Sequence, residues 1–236
     1  MEVNDILFRC SELGNIMIEP KSKSEKISET TKSYLVDVYV RNKYLRNNHI
    51  VNKYTMKGLG VEEDSLTIYS MYKKTFFKKN EDRIGDKFII GTPDIFEGEN
   101  IFEAKKIIDI KSSWDIFTFF KTKTKKINQM YYWQLQGYMA LTGAKESTLA
   151  YCLTNTPEVL INDEKRRLQW KMGVLDTNDD FEKACEEIER LSIYDDIPLE
   201  ERVIEFNIDR NNNDIYRMYE RVIDCRRWIN ENLIKI

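Results

Sequence analysis

Residues 87–113 read KFIIGTPDIFEGENIFEAKKIIDIKSS, and the fold turns on how this stretch is parsed. Two runs rich in Ile and Phe, 87–96 and 101–113, flank the turn-forming EGEN, which predicts a β-hairpin. Side chains alternate along a strand, so Asp109 and Lys111 project from the same face of the second run. If the runs pair, Asp94 near the end of the first approaches that face. Two carboxylates and an ammonium then share one small volume.

A D-x-K triplet arises easily by chance in a chain with 33% charged residues. Here Ile107, Ile108 and Ile110 embed the triplet in a largely apolar strand, where an unpaired charge is costly and a retained one has a task. Two hard oxygen ligands suit a magnesium ion, leaving its other positions to water and a phosphate. Such an ion lowers the pKa of bound water and offsets charge developing on the phosphate. Lys111 would orient the nucleophile or stabilise the pentacoordinate transition state.

Working outward, an S-x-x-E capping box at Ser22 and Glu25 opens a predicted amphipathic helix over 22–46, with Ile27, Tyr34, Leu35, Val38 and Tyr39 at near-helical spacing. A second helix is predicted over 57–72, followed by a short strand at 75–78. Residues 114–120 and 129–141 read as helices, 148–153 (TLAYCL) as a buried strand, and 158–170 and 181–191 as helices. A last strand at 203–208 and a closing helix over 214–233 complete the chain. The order describes one α/β domain with a central mixed β-sheet flanked by helices, undivided by repeats or Pro/Gly-rich linkers.

Composition narrows the chemistry. The 236 residues are 42% hydrophobic and 12% aromatic, enough for a substantial core. No apolar run is long enough to span a bilayer, and the opening MEVNDILFRC lacks the positive start of a signal peptide, so a cytoplasmic protein without membrane contact is expected. The cysteines at 10, 152, 185 and 225 form no C-x-x-C pair and are expected to be reduced and buried. His49 is the single histidine, in the polar stretch RNNHIVNK, which argues against histidine-based triads and two-histidine zinc sites. The net charge of −3 argues against a surface wrapped by nucleic acid, though one basic groove is compatible with it. Acid collects over 176–190, whereas lysines cluster at Lys73, Lys74, Lys78 and Lys79 and at Lys121, Lys123, Lys125 and Lys126. These runs are either solvated faces or phosphate-binding flanks of the candidate site.

Gly91-Thr92-Pro93-Asp94, fourteen residues, Asp109-Ile110-Lys111, and then a helix with Gln134 and Tyr138 four apart resembles the PD-(D/E)XK nucleases, and within them the RecB and lambda-exonuclease (YqaJ-like) branch. The resemblance spans about 57–154. It implies a restriction-endonuclease-like core there, inside a single domain over 1–236 with an N-terminal helical region (1–56) and a C-terminal helix and strand extension (155–236). It also implies a metal-dependent nuclease acting on DNA phosphodiesters with one or two magnesium or manganese ions.

In that branch a G-x-x-x-E pattern supplies a further metal contact; Gly58 to Glu62 fits it, with Ser65 and Tyr69 following, and Glu63 is the neighbouring alternative. The metal ligands implied are Asp94, Asp109, Glu62 and the Ile110 backbone carbonyl, with Lys111 and Gln134 completing the catalytic set. Gln134 would position the lysine or the DNA, and Tyr138 would contact substrate. Arg9 and Ser11, ahead of a predicted short helix at 12–18, match residues that hold a DNA 5′ phosphate, although a serine there is also a good N-cap. Some relatives hold an iron-sulfur cluster, but these cysteines are too scattered and none is expected here.

The resemblance implies an exonuclease resecting duplex ends, fitting a phage or mobile-element source, with DNA ends or single strands, a single-strand annealing protein and further copies of the chain as partners. The alternatives are a structure-specific or restriction-like endonuclease and an inactive DNA-binding module; the intact Asp94, Asp109 and Lys111 argue against the last.

Overall fold

The computed structural model describes residues 2–48, 53–173 and 178–235; His49 lies outside the described residues. The strands are β1 (Phe8–Arg9), β2 (Ile84–Gly85), β3 (Ile89–Gly91), β4 (Ile95–Glu97), β5 (Lys106–Ser112), β6 (Glu146–Cys152) and β7 (Val203–Asp209). The first apolar run is therefore not one strand. It divides into β3 and β4 around Thr92-Pro93-Asp94, and the halves enter different sheets. Pro93 has no N–H to give a ladder, so pairing stops there.

The expected hairpin holds where β4 runs antiparallel to β5, with Ile95 opposite Ile108 and Glu97 opposite Lys106. β5 runs parallel to β6, placing Asp109 opposite Leu149 and Lys111 opposite Tyr151, and β6 runs antiparallel to β7. The resulting sheet has the order β4-β5-β6-β7. β3 instead pairs in parallel with β1 and antiparallel with β2, forming a three-stranded sheet. The single central sheet read from the sequence is thus two mixed sheets, because strands of two or three residues carry too little alternation to be recognised.

The helices are α1 (Leu13–Ile16), α2 (Glu29–Tyr44), α3 (Lys53–Gly60), α4 (Glu62–Lys73), α5 (Ile116–Lys123), α6 (Gln129–Thr142), α7 (Glu158–Met172), α8 (Asp179–Arg190) and α9 (Asn212–Ile229). The helix expected from a cap at Ser22 starts later. Ser28 is the N-cap of α2, accepting from Thr31 N at 3.1 Å, while Ser22 and Glu25 close an isolated turn. The helix expected over 57–72 is broken into α3 and α4 at the buried Val61 (φ −121°, ψ 17°), just after two glycines that weaken a helix interior. Glu62 consequently opens α4, where Glu62, Glu63 and Asp64 complement the positive end of the helix. The strand expected at 75–78 is absent. That segment leads to Asn80, whose N donates to Asp94 O at 2.7 Å and whose Nδ2 donates to Pro93 O at 2.9 Å.

Two helices organise the main core. α6 is buried along most of its length, and a Cβ at Gly14 of α1 would lie 2.7 Å from the Met130 Cα of α6, so a glycine there allows the two helices to approach. α9 buries Ile215, Met218, Val222, Cys225 and Ile229, the alternating three and four spacing of an amphipathic helix. Each large apolar side chain so buried contributes about 1.5–3 kcal/mol. α9 also carries the buried Arg226, which donates from Nε and Nη2 to Ile6 O at 3.1 and 2.7 Å and from Nη2 to Lys87 O at 2.6 Å. No described helix is long and apolar enough to cross a membrane.

Candidate active site

β5 carries the centre of the site. Asp109 is fully buried, and Lys111 on the same face places its ammonium 2.7 Å from Asp109 Oδ2. Gln134 on α6 donates from Nε2 to Asp109 Oδ1 at 2.9 Å and lies 3.0 Å from the Tyr138 hydroxyl. The strand and the helix thus hold the carboxylate from opposite sides. β4 pairs with β5 only as far as Ile108, which frees the next edge position: Ile110 N donates to Asp94 Oδ2 at 2.8 Å. On a strand the N–H and C=O of one residue leave by the same edge, so the Ile110 carbonyl faces the Asp94 side. The split between β3 and β4 turns Asp94 toward β5, and Asn80 clamps the Pro93-Asp94 backbone from behind.

These groups open on a cleft of about 710 Å³ lined by Glu62, Asp94, Ile110, Lys111, Trp114 and Tyr131, among others. Burial and then the neighbouring Asp109 charge push the Asp94 carboxyl up to about 7, against the pull of Lys111 and the Ile110 N–H. Burial disfavours the Lys111 ammonium, but Asp109 and Asp94 outweigh it and hold its pKa above the usual lysine range. The ammonium also lies 5.2 Å from the centre of the Tyr131 ring. Asp94 and Lys111 thus meet at the cleft surface, with the Asp109 charge buried directly beneath them.

Among the described residues, no group of three or more His, Cys, Asp and Glu side chains gathers as a ready-made metal cage. The donors nevertheless fit a magnesium-like ion, which is commonly held by one or two carboxylates and a substrate phosphate, with waters completing its shell. Asp109 Oδ2 is buried and accepts no hydrogen bond of good geometry, although the Lys111 ammonium is close in distance. An acceptor left in that condition is suited to a cation.

The other residues predicted from the sequence fall in different places. Glu62 lines the cleft, half-exposed and 3.0 Å from Lys79 Nζ, whereas Glu63 is exposed and absent from the lining. Tyr138 is a correction: it is buried behind Gln134 and packs against Gly91, out of reach of substrate in the cleft. Gln134 makes its hydrogen bond to Asp109, whose other carboxylate oxygen lies 2.7 Å from the Lys111 ammonium. Ser11 is exposed on a short 3-10 turn (Cys10–Glu12), and Arg9 lies 3.8 Å from Glu12; neither lines the cleft. Lys121 and Lys123 occupy the last turn of α5 and Lys125 and Lys126 follow it, all exposed, while Thr118 and Thr122 of the same helix face the cleft. In the other lysine cluster, Lys73 and Lys79 are paired with Glu205 and Glu62.

Sequence reasoning missed Asn80, Tyr131 and Lys57. Tyr131 was legible, being three residues before Gln134 and so on the same helix face. Lys57 is buried and donates to Trp114 O at 2.7 Å and Thr156 Oγ1 at 3.0 Å, fastening α3 to the far wall of the cleft; burial pushes its pKa down to about 8. No local pattern marks it.

No protein-family model and no curated protein matches the sequence. Solved structures do match it. A phage related exonuclease from Haemophilus somnus 129PT is 28% identical over 96% of this chain and 95% of its own, with a TM-score of 0.74. An alkaline exonuclease from Laribacter hongkongensis is 14% identical over 97% of this chain and 90% of its own, with a TM-score of 0.64. Its complex with dAMP is 16% identical over 98% and 95%, with a TM-score of 0.62. With its carboxylates, lysine and glutamine gathered on this architecture, the chain shares its fold with these exonucleases and resembles the lambda-exonuclease-like branch of the PD-(D/E)XK nucleases.

Proposed function

We propose that the chain is a magnesium- or manganese-dependent deoxyribonuclease that degrades DNA from duplex ends. The observation that carries this reading is that Lys111 and Asp94 line an open cleft while the Lys111 ammonium lies 2.7 Å from the carboxylate of Asp109, buried beneath it. A purely structural ion pair would not need to sit at the floor of a cavity. The exonuclease character of the 28% identical neighbour supports the end-directed mode.

In this reading Asp94, Asp109, the Ile110 carbonyl and Glu62 across the cleft would hold the cation, which supplies a low-pKa water and offsets phosphate charge. Lys111 orients the attacking water and stabilises the charge that grows on the phosphoryl oxygens as the P–O bond breaks. Gln134 keeps Asp109 in one rotamer. The decisive assay offers purified protein and magnesium an end-labelled linear duplex, a single strand and a covalently closed circle. Progressive loss of the linear substrates with the circle spared is expected. Nicking of the circle would make the enzyme an endonuclease, and no cutting at all would overturn the nuclease reading.

Gln134→Leu gives a milder result. It keeps volume but leaves Asp109 Oδ1 and the Tyr138 hydroxyl without their N–H partner, so stability should fall by about 1–3 kcal/mol. Turnover should drop about tenfold to a hundredfold with little change in KM, because substrate does not touch Gln134. Denaturant titration and steady-state kinetics measure both effects; an unchanged turnover would remove Gln134 from the site.

A further inference from the structure

α5 separates two depressions. One face, Thr118 and Thr122, lines the catalytic cleft. The other borders a second groove of about 580 Å³ lined by Phe117, Phe120, Lys121, Leu191, Ile193 and Tyr194. α5 is anchored through Phe119, which is fully buried, yet Phe117 is 61% and Phe120 is 40% exposed. Phe119 meets Phe120 edge to face at 5.3 Å, fixing the exposed ring in one orientation. Solvent-exposed, pre-oriented rings of this kind are costly unless they stack on a partner.

Charge identifies the partner. Of the lysines in this segment Lys121 lines the groove, and Lys123, Lys125 and Lys126 continue the same helix and the loop beyond it, exposed and without a salt bridge among the described residues. Arg190 on the opposite wall is already paired with Glu187, and the acid lining the groove is Asp196. Aromatic faces interleaved with free ammonium groups are the composition of a single-stranded nucleic acid track, in which bases stack and phosphates are neutralised. A helix is only about 10 Å across, so a strand leaving the cleft reaches the second groove by crossing α5 once.

We propose that this groove binds single-stranded DNA, with bases stacked on Phe117 and Phe120 and phosphates on the lysines, as a continuation of the catalytic cleft. The proposal rests on the nuclease reading above. The test titrates the full-length protein, in EDTA so that nothing is cut, into a fluorescein-labelled oligothymidylate and follows anisotropy. Phe117→Ala with Phe120→Ala should weaken binding about tenfold or more, and Phe117→Tyr with Phe120→Tyr should restore it. In the wild type, an oligonucleotide carrying 4-thiothymidine should cross-link to the α5 peptide. Unchanged affinity in the alanine pair, or cross-links that map elsewhere, would overturn the proposal and leave the groove to a protein partner. The two readings fail separately: cutting with no α5 cross-link sinks the groove alone, whereas an α5 cross-link in a protein that never cuts sinks the nuclease and keeps the groove.

Discussion

Asp109→Asn and Lys111→Met proteins, purified and folded, are each expected to cut an end-labelled duplex at least about a thousandfold more slowly than the parent. Asparagine keeps the volume and the acceptor for Gln134 but removes the charge that offsets both a cation and Lys111. Methionine fills the space of the lysine stem and removes the donor that steadies phosphoryl charge. Each change also leaves one buried charge without its partner, which costs up to about 3–5 kcal/mol where burial is complete. In Asp109→Asn the orphaned Lys111 keeps 24% of its side chain exposed, so water offsets part of that cost, whereas in Lys111→Met the orphaned Asp109 is 1% exposed and keeps only the Gln134 N–H, making this the less stable of the two variants. Circular dichroism separates the two effects. A folded variant of either kind cutting near the parental rate would contradict the site assignment.

Metal dependence is the second large effect. Chelation should abolish cutting, magnesium should restore it, and calcium should support DNA binding with a rate lower by about a hundredfold or more. In the proposed site Asp94, Asp109, Glu62 and the Ile110 carbonyl would hold the cation, and the loose, larger shell of calcium would fill that set without holding water and phosphate in line. Because burial and Asp109 make the ionised Asp94 uncomfortable, a bound cation should also raise the Tm of the protein in the absence of DNA. Stopped-assay rates and thermal melts across the metals check both statements. Equal rates in calcium and magnesium, or cutting that survives the chelator, would refute the proposed chemistry.

The catalytic pattern was legible because it lies on a long strand and a long helix. β5 has seven residues of readable alternation, and Gln134 sits on a helix with a clear period. What escaped was decided by contacts distant in sequence. Asp94 was expected at the end of a single strand, but its orientation comes from Pro93 breaking the strand and Asn80 gripping the break. The resemblance implies a substrate contact for Tyr138, whereas its burial and its packing against Gly91 show that it faces inward. The capping box at Ser22 failed for a local reason: Ser28 offers a second cap, and its neighbour Thr31 reaches Asn15 O across the α1 turn.

Arg226 holds the carbonyls of Ile6 and Lys87, and through them β1 and the approach to β3 and Asp94. While the chain is being synthesised, β5, which bears both Asp109 and Lys111, leaves the ribosome well before this guanidinium does. The contacts of Arg226 that tie β1 to the approach to β3 span more than half the chain and form late, since distant partners must wait for the intervening segment. A nascent polypeptide therefore carries the acidic floor of the cleft without its finished geometry. Enzymatic competence would arrive nearly all at once, with the last helix.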